Sequence, residues 1–115
     1  MKNKDFGKIG EDKACDYLKA KGFDIVARNY KVREGEIDII ASVGRALYFV
    51  EVKARSSTAF GKINESLTKN RVERFGQTAL RFLEDHPEFA LFEMIFCIIG
   101  LFDNQSEITQ IDFGV

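Results

Sequence analysis

Apolar residues recur at helical spacing in two stretches of this chain and gather into short alternating or continuous runs in five others. In residues 8–21 (KIGEDKACDYLKAK) the stripe Ala14, Cys15 and Leu18 predicts a helix closed by Gly22. Glu11 precedes these residues by three, four and seven positions and so shares their face. A negative charge near the open N-terminal end of a helix is itself favourable, which is one account of a carboxylate there. In residues 64–85, Leu67, Val72, Phe75, Ala79, Phe82 and Leu83 predict a second helix, ended by His86-Pro87. The segments 23–29, 36–43, 46–53, 90–99 and 107–113 read as strands, and 54–63, with Gly61 and small polar residues, as a loop. The order α-β-β-β-α-β-β predicts an α/β class: one domain over residues 1–115, with helices packed on a sheet.

The second and third strands carry the candidate chemistry. Gly44-Arg45 suits a two-residue type II′ turn. Counting outward from it sets Asp38 opposite Glu51 and Glu36 opposite Lys53, all four on one side of the sheet. Two carboxylates at cross-strand distance repel unless a divalent cation lies between them. Magnesium takes oxygen ligands of this kind, and a nearby lysine can orient an attacking water or stabilise charge on a phosphate. Together these groups suit phosphodiester hydrolysis. The rival account is an ordinary Glu36–Lys53 ion pair beside solvated Asp38 and Glu51. Against it, the charges interrupt faces that also carry Leu47, Phe49 and Ile40.

Composition narrows the class and leaves the partner open. Hydrophobic residues make up 45% and charged residues 30%, the balance of a folded soluble chain. Cys15 and Cys97 lack the spacing of a zinc site or a redox pair and read as buried reduced thiols. The polar start of the chain predicts no signal peptide, and the apolar run 89–102 is too short to span a bilayer, so a cytoplasmic protein without a membrane partner is expected. The net charge is only −1, but residues 1–74 hold 16 of the 17 Lys and Arg against 11 acids, while residues 75–115 hold one Arg against seven acids. That asymmetry is compatible with one basic face, including Arg28, Lys31, Arg33, Arg55, Lys62, Lys69 and Arg71, and equally with scattered solvated charge.

The run Gly35-Glu-Ile-Asp-Ile-Ile40, followed by Phe49-Val-Glu-Val-Lys-Ala-Arg55, resembles the PD-(D/E)XK nuclease signature, in which a strand Asp precedes Glu-x-Lys on the next strand. The opening G-x-x-G-E-D-x-A at 7–14, Tyr17-Leu18, Arg28-Asn29-Tyr30, Phe60-Gly61 and a helix beginning near Lys69 make the chain similar to the YraN-like family of small uncharacterised bacterial proteins. The resemblance implies a restriction-endonuclease-like fold, a central mixed five-stranded sheet flanked by helices, similar to archaeal Holliday-junction resolvases. It implies Asp38, Glu51 and Glu11 as metal ligands for Mg²⁺ or Mn²⁺ and Lys53 as the catalytic lysine. DNA, branched or damaged, is the implied substrate; the charge asymmetry, and not the resemblance, offers Arg28, Lys31, Arg33, Arg55, Lys69 and Arg71 as candidate contacts, and a homodimer stays open. At the start of the fourth strand the chain departs from the Arg-Phe-Asp that the resemblance leads one to expect and has Leu91-Phe92-Glu93. Two alternatives remain: a nucleic-acid-binding module of the same fold with little cleavage, and a protein-interaction domain using the apolar C-terminal strands.

Overall fold

The computed structural model describes the backbone of residues 3–55, 69–102 and 105–111, and the side chains of 8–53 and 69–101. Helix α1 (Asn3–Ala20) leads to strands β1 (Asp24–Val32), β2 (Gly35–Val43) and β3 (Ala46–Arg55), then to helix α2 (Lys69–Asp85), a 3₁₀ turn (Pro87–Phe89), and strands β4 (Glu93–Phe102) and β5 (Gln105–Ile111). The strands form one mixed sheet in the order β1-β2-β3-β4-β5. Every neighbouring pair is antiparallel except β3 and β4, which run parallel. A parallel pair requires a crossover, and α2 lies within it. Of the loop expected at 54–63, Ala54 and Arg55 instead continue β3, and 56–63 lies outside the described residues, as do the first residues of the second helix at 64–68 and the end of the last strand at 112–113.

The two helices cover opposite faces of the sheet. On one face, Ala14, Cys15 and Leu18 of α1 pack on Ile39, Ala41, Val50, Cys97, Ile99 and Leu101. On the other, Ala79 and Phe82 of α2 pack on Ile37, Ile40, Leu47, Phe49 and Phe96. β3 contributes to both clusters, which is why its middle reads as an unbroken apolar run. Gly22 ends α1 at φ 92°, with its N–H on Lys19 O and the Phe23 N–H on Leu18 O, the paired bonds of a Schellman motif. At the β2–β3 turn Gly44 has φ 57° and Arg45 is not among the residues with positive φ, as a type II′ turn requires. Among the described residues no helix is long and apolar enough to cross a membrane.

Several boundaries moved from their expected places: α1 opens at Asn3 and not at 8, β4 runs on to Phe102 and not only to 99, and β5 opens at Gln105 and not at 107. β4 begins at Glu93 and not at 90, because Pro87 opens a 3₁₀ turn that absorbs Pro87–Phe89, and Ala90 closes it with its N–H on Pro87 O. β1 runs on to Val32, three residues past its expected end.

Within β1, Asn29 has φ 53°, the left-handed region that asparagine tolerates better than other side-chain-bearing residues. Its neighbours therefore leave on opposite faces. Arg28 reaches Glu11 and Asp12 of α1, while the Tyr30 ring packs edge-on against Phe82 of α2, centroids 5.3 Å apart. β2 makes the same change beside it: Ile39 joins the α1 side and Ile37 the α2 side. The Arg28-Asn29-Tyr30 run thus has a physical reading as two anchors around a backbone twist. Asn29→Ala should cost about 1 kcal/mol in urea unfolding and Asn29→Gly much less, since only alanine brings a Cβ into left-handed backbone. Equal losses would assign the effect to the asparagine side chain instead.

Candidate active site

The β2–β3 ladder keeps the register set by Gly44-Arg45 from Val43↔Ala46 to Ile39↔Val50, and there it ends. Both strands continue with their outer neighbours: Glu36 pairs with Lys31 of β1, and Glu51 and Lys53 pair with Ile98 and Gly100 of β4. A fork therefore opens inside the sheet at Asp38. The expected cross-strand pairs Asp38–Glu51 and Glu36–Lys53 are not partners in the ladder, because pairing stops one residue short of them. The Asp38 side chain fills the opening. Its Oδ2 accepts the Val52 N–H at 2.8 Å, a donor that a continuing ladder would have given to the backbone of β2.

Beyond the fork, Glu51 and Lys53 point to the α2 side of the sheet, following Leu47 and Phe49 in the strand alternation. Lys53 Nζ lies 3.3 Å from Glu51 Oε1, with only 12% and 17% of the two side chains exposed. That burial sets the pair apart from a solvated surface contact. Arg71 of α2 also binds Glu51 Oε1, so this carboxylate holds two cations. Glu36 shares a groove with Glu51, lined on its other side by Arg71 and Arg74.

Glu11 approaches from the opposite helix. Arg28 donates to Glu11 Oε1 from Nη2 at 3.3 Å and to Asp12 Oδ1 at 2.7 Å, which fixes the middle of α1, and not its N-terminal end as expected for Glu11, against β1. The guanidinium holds the Asp12 carboxyl below its ordinary pKa. Asp38 goes the other way. Burial pushes its pKa from 3.8 up to about 6, the charges of Glu11, Glu51 and Glu36 push in the same direction, and the Val52 N–H offsets part of the rise. Asp38 thus lies in a field of three other carboxylates, two of which carry their own cations.

The oxygen-only donor set suits a hard cation. Among the described residues, however, no three His, Cys, Asp or Glu groups stand close enough together to form a metal cage. The arrangement therefore fits a cation taken by one or two carboxylates with water and substrate oxygens, as magnesium commonly is, and Asp38 and Glu51 are the residues that would hold it.

The residues expected to touch nucleic acid are dispersed. Arg28 is spent on α1 and Arg71 on Glu51. Lys31 and Arg33 are exposed at the β1–β2 turn, and Lys69 is exposed at the start of α2. Arg55 closes β3 opposite Phe102, its side chain, like all of Lys62, outside the description. Sequence reading passed over Arg74, which faces the groove one turn after Arg71; the three-residue spacing was its signal.

Residues 10–103 match the Uncharacterised protein family UPF0102. A UPF0102 protein of Sulfurihydrogenibium sp. is 44% identical over 80 residues, 70% of each chain. Others from Desulforamulus reducens and Syntrophomonas wolfei are 38% and 34% identical over 112 and 111 residues, covering 96% and 95% of this chain and 91% and 96% of their own. With a match that takes in most of α1, all of α2, the fork and the whole of β4, the chain belongs to the UPF0102 family, the YraN-like family.

Proposed function

We propose that this protein is a metal-dependent nuclease of the restriction-endonuclease-like type that hydrolyses phosphodiester bonds in DNA, with Asp38, Glu51 and Lys53 at its centre and Glu11 in support. The observation that carries the reading is the fork. A nearly buried Lys53–Glu51 pair and a carboxyl raised to about 6 meet where a sheet opens between two strands that are each still held from outside. Structural needs alone do not explain such a cluster, since a buried charge is costly unless paired, and Asp38 has only the Val52 N–H among the described residues. A divalent cation, when bound, would supply Lewis-acid stabilisation of the phosphate and a more acidic water. Lys53 would hold the attacking water by its ammonium or balance charge on the phosphate oxygens. Glu51 keeps that ammonium in place, and Arg28 steadies Glu11 on the far side.

A second reading is a nucleic-acid-binding module of the same fold with little cleavage. It is favoured by the two cations already on Glu51, which compete with any metal. Incubation with duplex, single-stranded and four-way-junction DNA separates the two. Cleavage that appears with Mg²⁺ or Mn²⁺ and disappears in EDTA is the expected result. Binding without cleavage on every substrate and either metal would favour the module.

A further inference from the structure

We propose that the groove between α2 and the open fork seats a backbone phosphate of the nucleic acid, held from the helix side by Arg74 beside the Arg71–Glu51 pair. The inference rests on the nucleic-acid reading above and adds where the backbone lies. The groove encloses about 400 Å³. Its floor is closed by a tight contact between β2 and α2: a Cβ added to Gly35 would stand 2.7 Å from Thr78 Oγ1, and that hydroxyl in turn donates to Arg74 O at 2.8 Å. Thr78 is fully buried, so the floor offers a ligand little polar surface, and recognition falls to the walls.

The walls carry opposite charge. Arg71 and Arg74 stand on the helix side, Glu36 and Glu51 on the strand side. Arg74 is exposed and has no carboxylate partner among the described residues, whereas Arg28, Arg71 and Arg81 each have at least one. A guanidinium in a groove without a carboxylate of its own suits a phosphodiester oxygen, and the opposing carboxylates keep such an anion on the helix wall. A phosphate seated there lies beside Glu51, the residue that also holds Lys53.

The test is fluorescence anisotropy with a labelled DNA duplex in EDTA, where cleavage is absent, over a series of salt concentrations. Arg74→Ala should weaken binding by on the order of tenfold and flatten the log–log salt slope by about 0.9, the loss of one phosphate contact. Arg74→Lys should recover the slope, having the charge, but not the full affinity, lacking the planar fork. Arg45→Ala, at the β2–β3 turn at the far end of the hairpin, should leave both quantities unchanged. A thermal melt of each variant checks folding, and the slope difference between Arg74→Lys and Arg74→Ala separates charge from general damage. Parent binding with Arg74→Ala indistinguishable from parent, or from Arg45→Ala, would overturn the groove and leave the nucleic-acid reading standing. A parent that binds neither duplex nor single strand would overturn both.

Discussion

Lys53→Ala should lower the rate of DNA cleavage by on the order of 10²-fold or more while leaving the chain folded. The two halves of this expectation have separate causes. Activity falls because the ammonium that would meet the water or the phosphate is gone, and Arg71, although it shares Glu51, approaches from α2 and not from the strand. Stability changes little, because Glu51 keeps Arg71 as a partner and is not left as an uncompensated charge. Lys53→Arg should not rescue, since a delocalised fork is a different donor from a compact ammonium. Single-turnover cleavage with Mn²⁺ and a thermal melt of the same preparations measure both halves. Cleavage by Lys53→Ala at the parent rate would remove the lysine from the chemistry. A variant that is inactive because it has unfolded would show it in the melt.

The site was legible in the sequence up to the point where regular strand geometry fails. Gly44-Arg45 gave the hairpin turn, and the register follows from it down to Ile39↔Val50. Glu51 and Lys53, two apart on one strand, could only share a face. What period-two reasoning cannot contain is a twist that turns two strands at once. Ile37, Ile39 and Ile40 are all fully buried, because the sheet is covered on both faces, so their hydrophobicity does not say which face each one takes. The one local sign was Asn29, an asparagine inside a run of strand-forming residues and the described residue other than glycine with positive φ. For the same reason Arg28 looked like a free basic residue, although it clamps α1. The displaced start of β4 has a different origin: residues 89–92 are mostly apolar, but Phe89 and Phe92 pack as partly buried rings at the end of the α2-side core without joining the sheet.

Asp38→Asn should make the metal-free protein more stable at pH 8 and leave it no more stable at pH 4. The sign follows from the direction of the shift. Asp38 has a folded-state pKa near 6 against an ordinary 3.8, so the folded form binds the proton more tightly than the unfolded form. Below about pH 4 the carboxyl is protonated in both states and costs nothing. Between about pH 4 and 6 the cost of an ionised carboxylate, held among Glu11, Glu51 and Glu36 and cut off from water, builds up; above that it is fully present. Asparagine removes the charge, and its side-chain oxygen can still accept the Val52 N–H. A shift of about two units sets an upper bound near 3 kcal/mol, and the weaker hydrogen bond from a neutral acceptor returns part of it. A net gain of about 1–2 kcal/mol corresponds to a melting temperature roughly 5–10 °C higher for a domain of this size. A cation reverses the comparison. If Asp38 helps to hold Mn²⁺, millimolar Mn²⁺ should raise the melting temperature of the parent, because a ligand of the native state alone stabilises it, and should do much less for Asp38→Asn. The measurement is a set of thermal melts of both proteins at pH 4 and pH 8, the latter with EDTA or Mn²⁺. A variant less stable than the parent at pH 8 in EDTA would mean that the ionised Asp38–Val52 contact stabilises the fork by more than the surrounding carboxylates cost. A parent whose melt does not move with Mn²⁺ would argue against a metal at the fork.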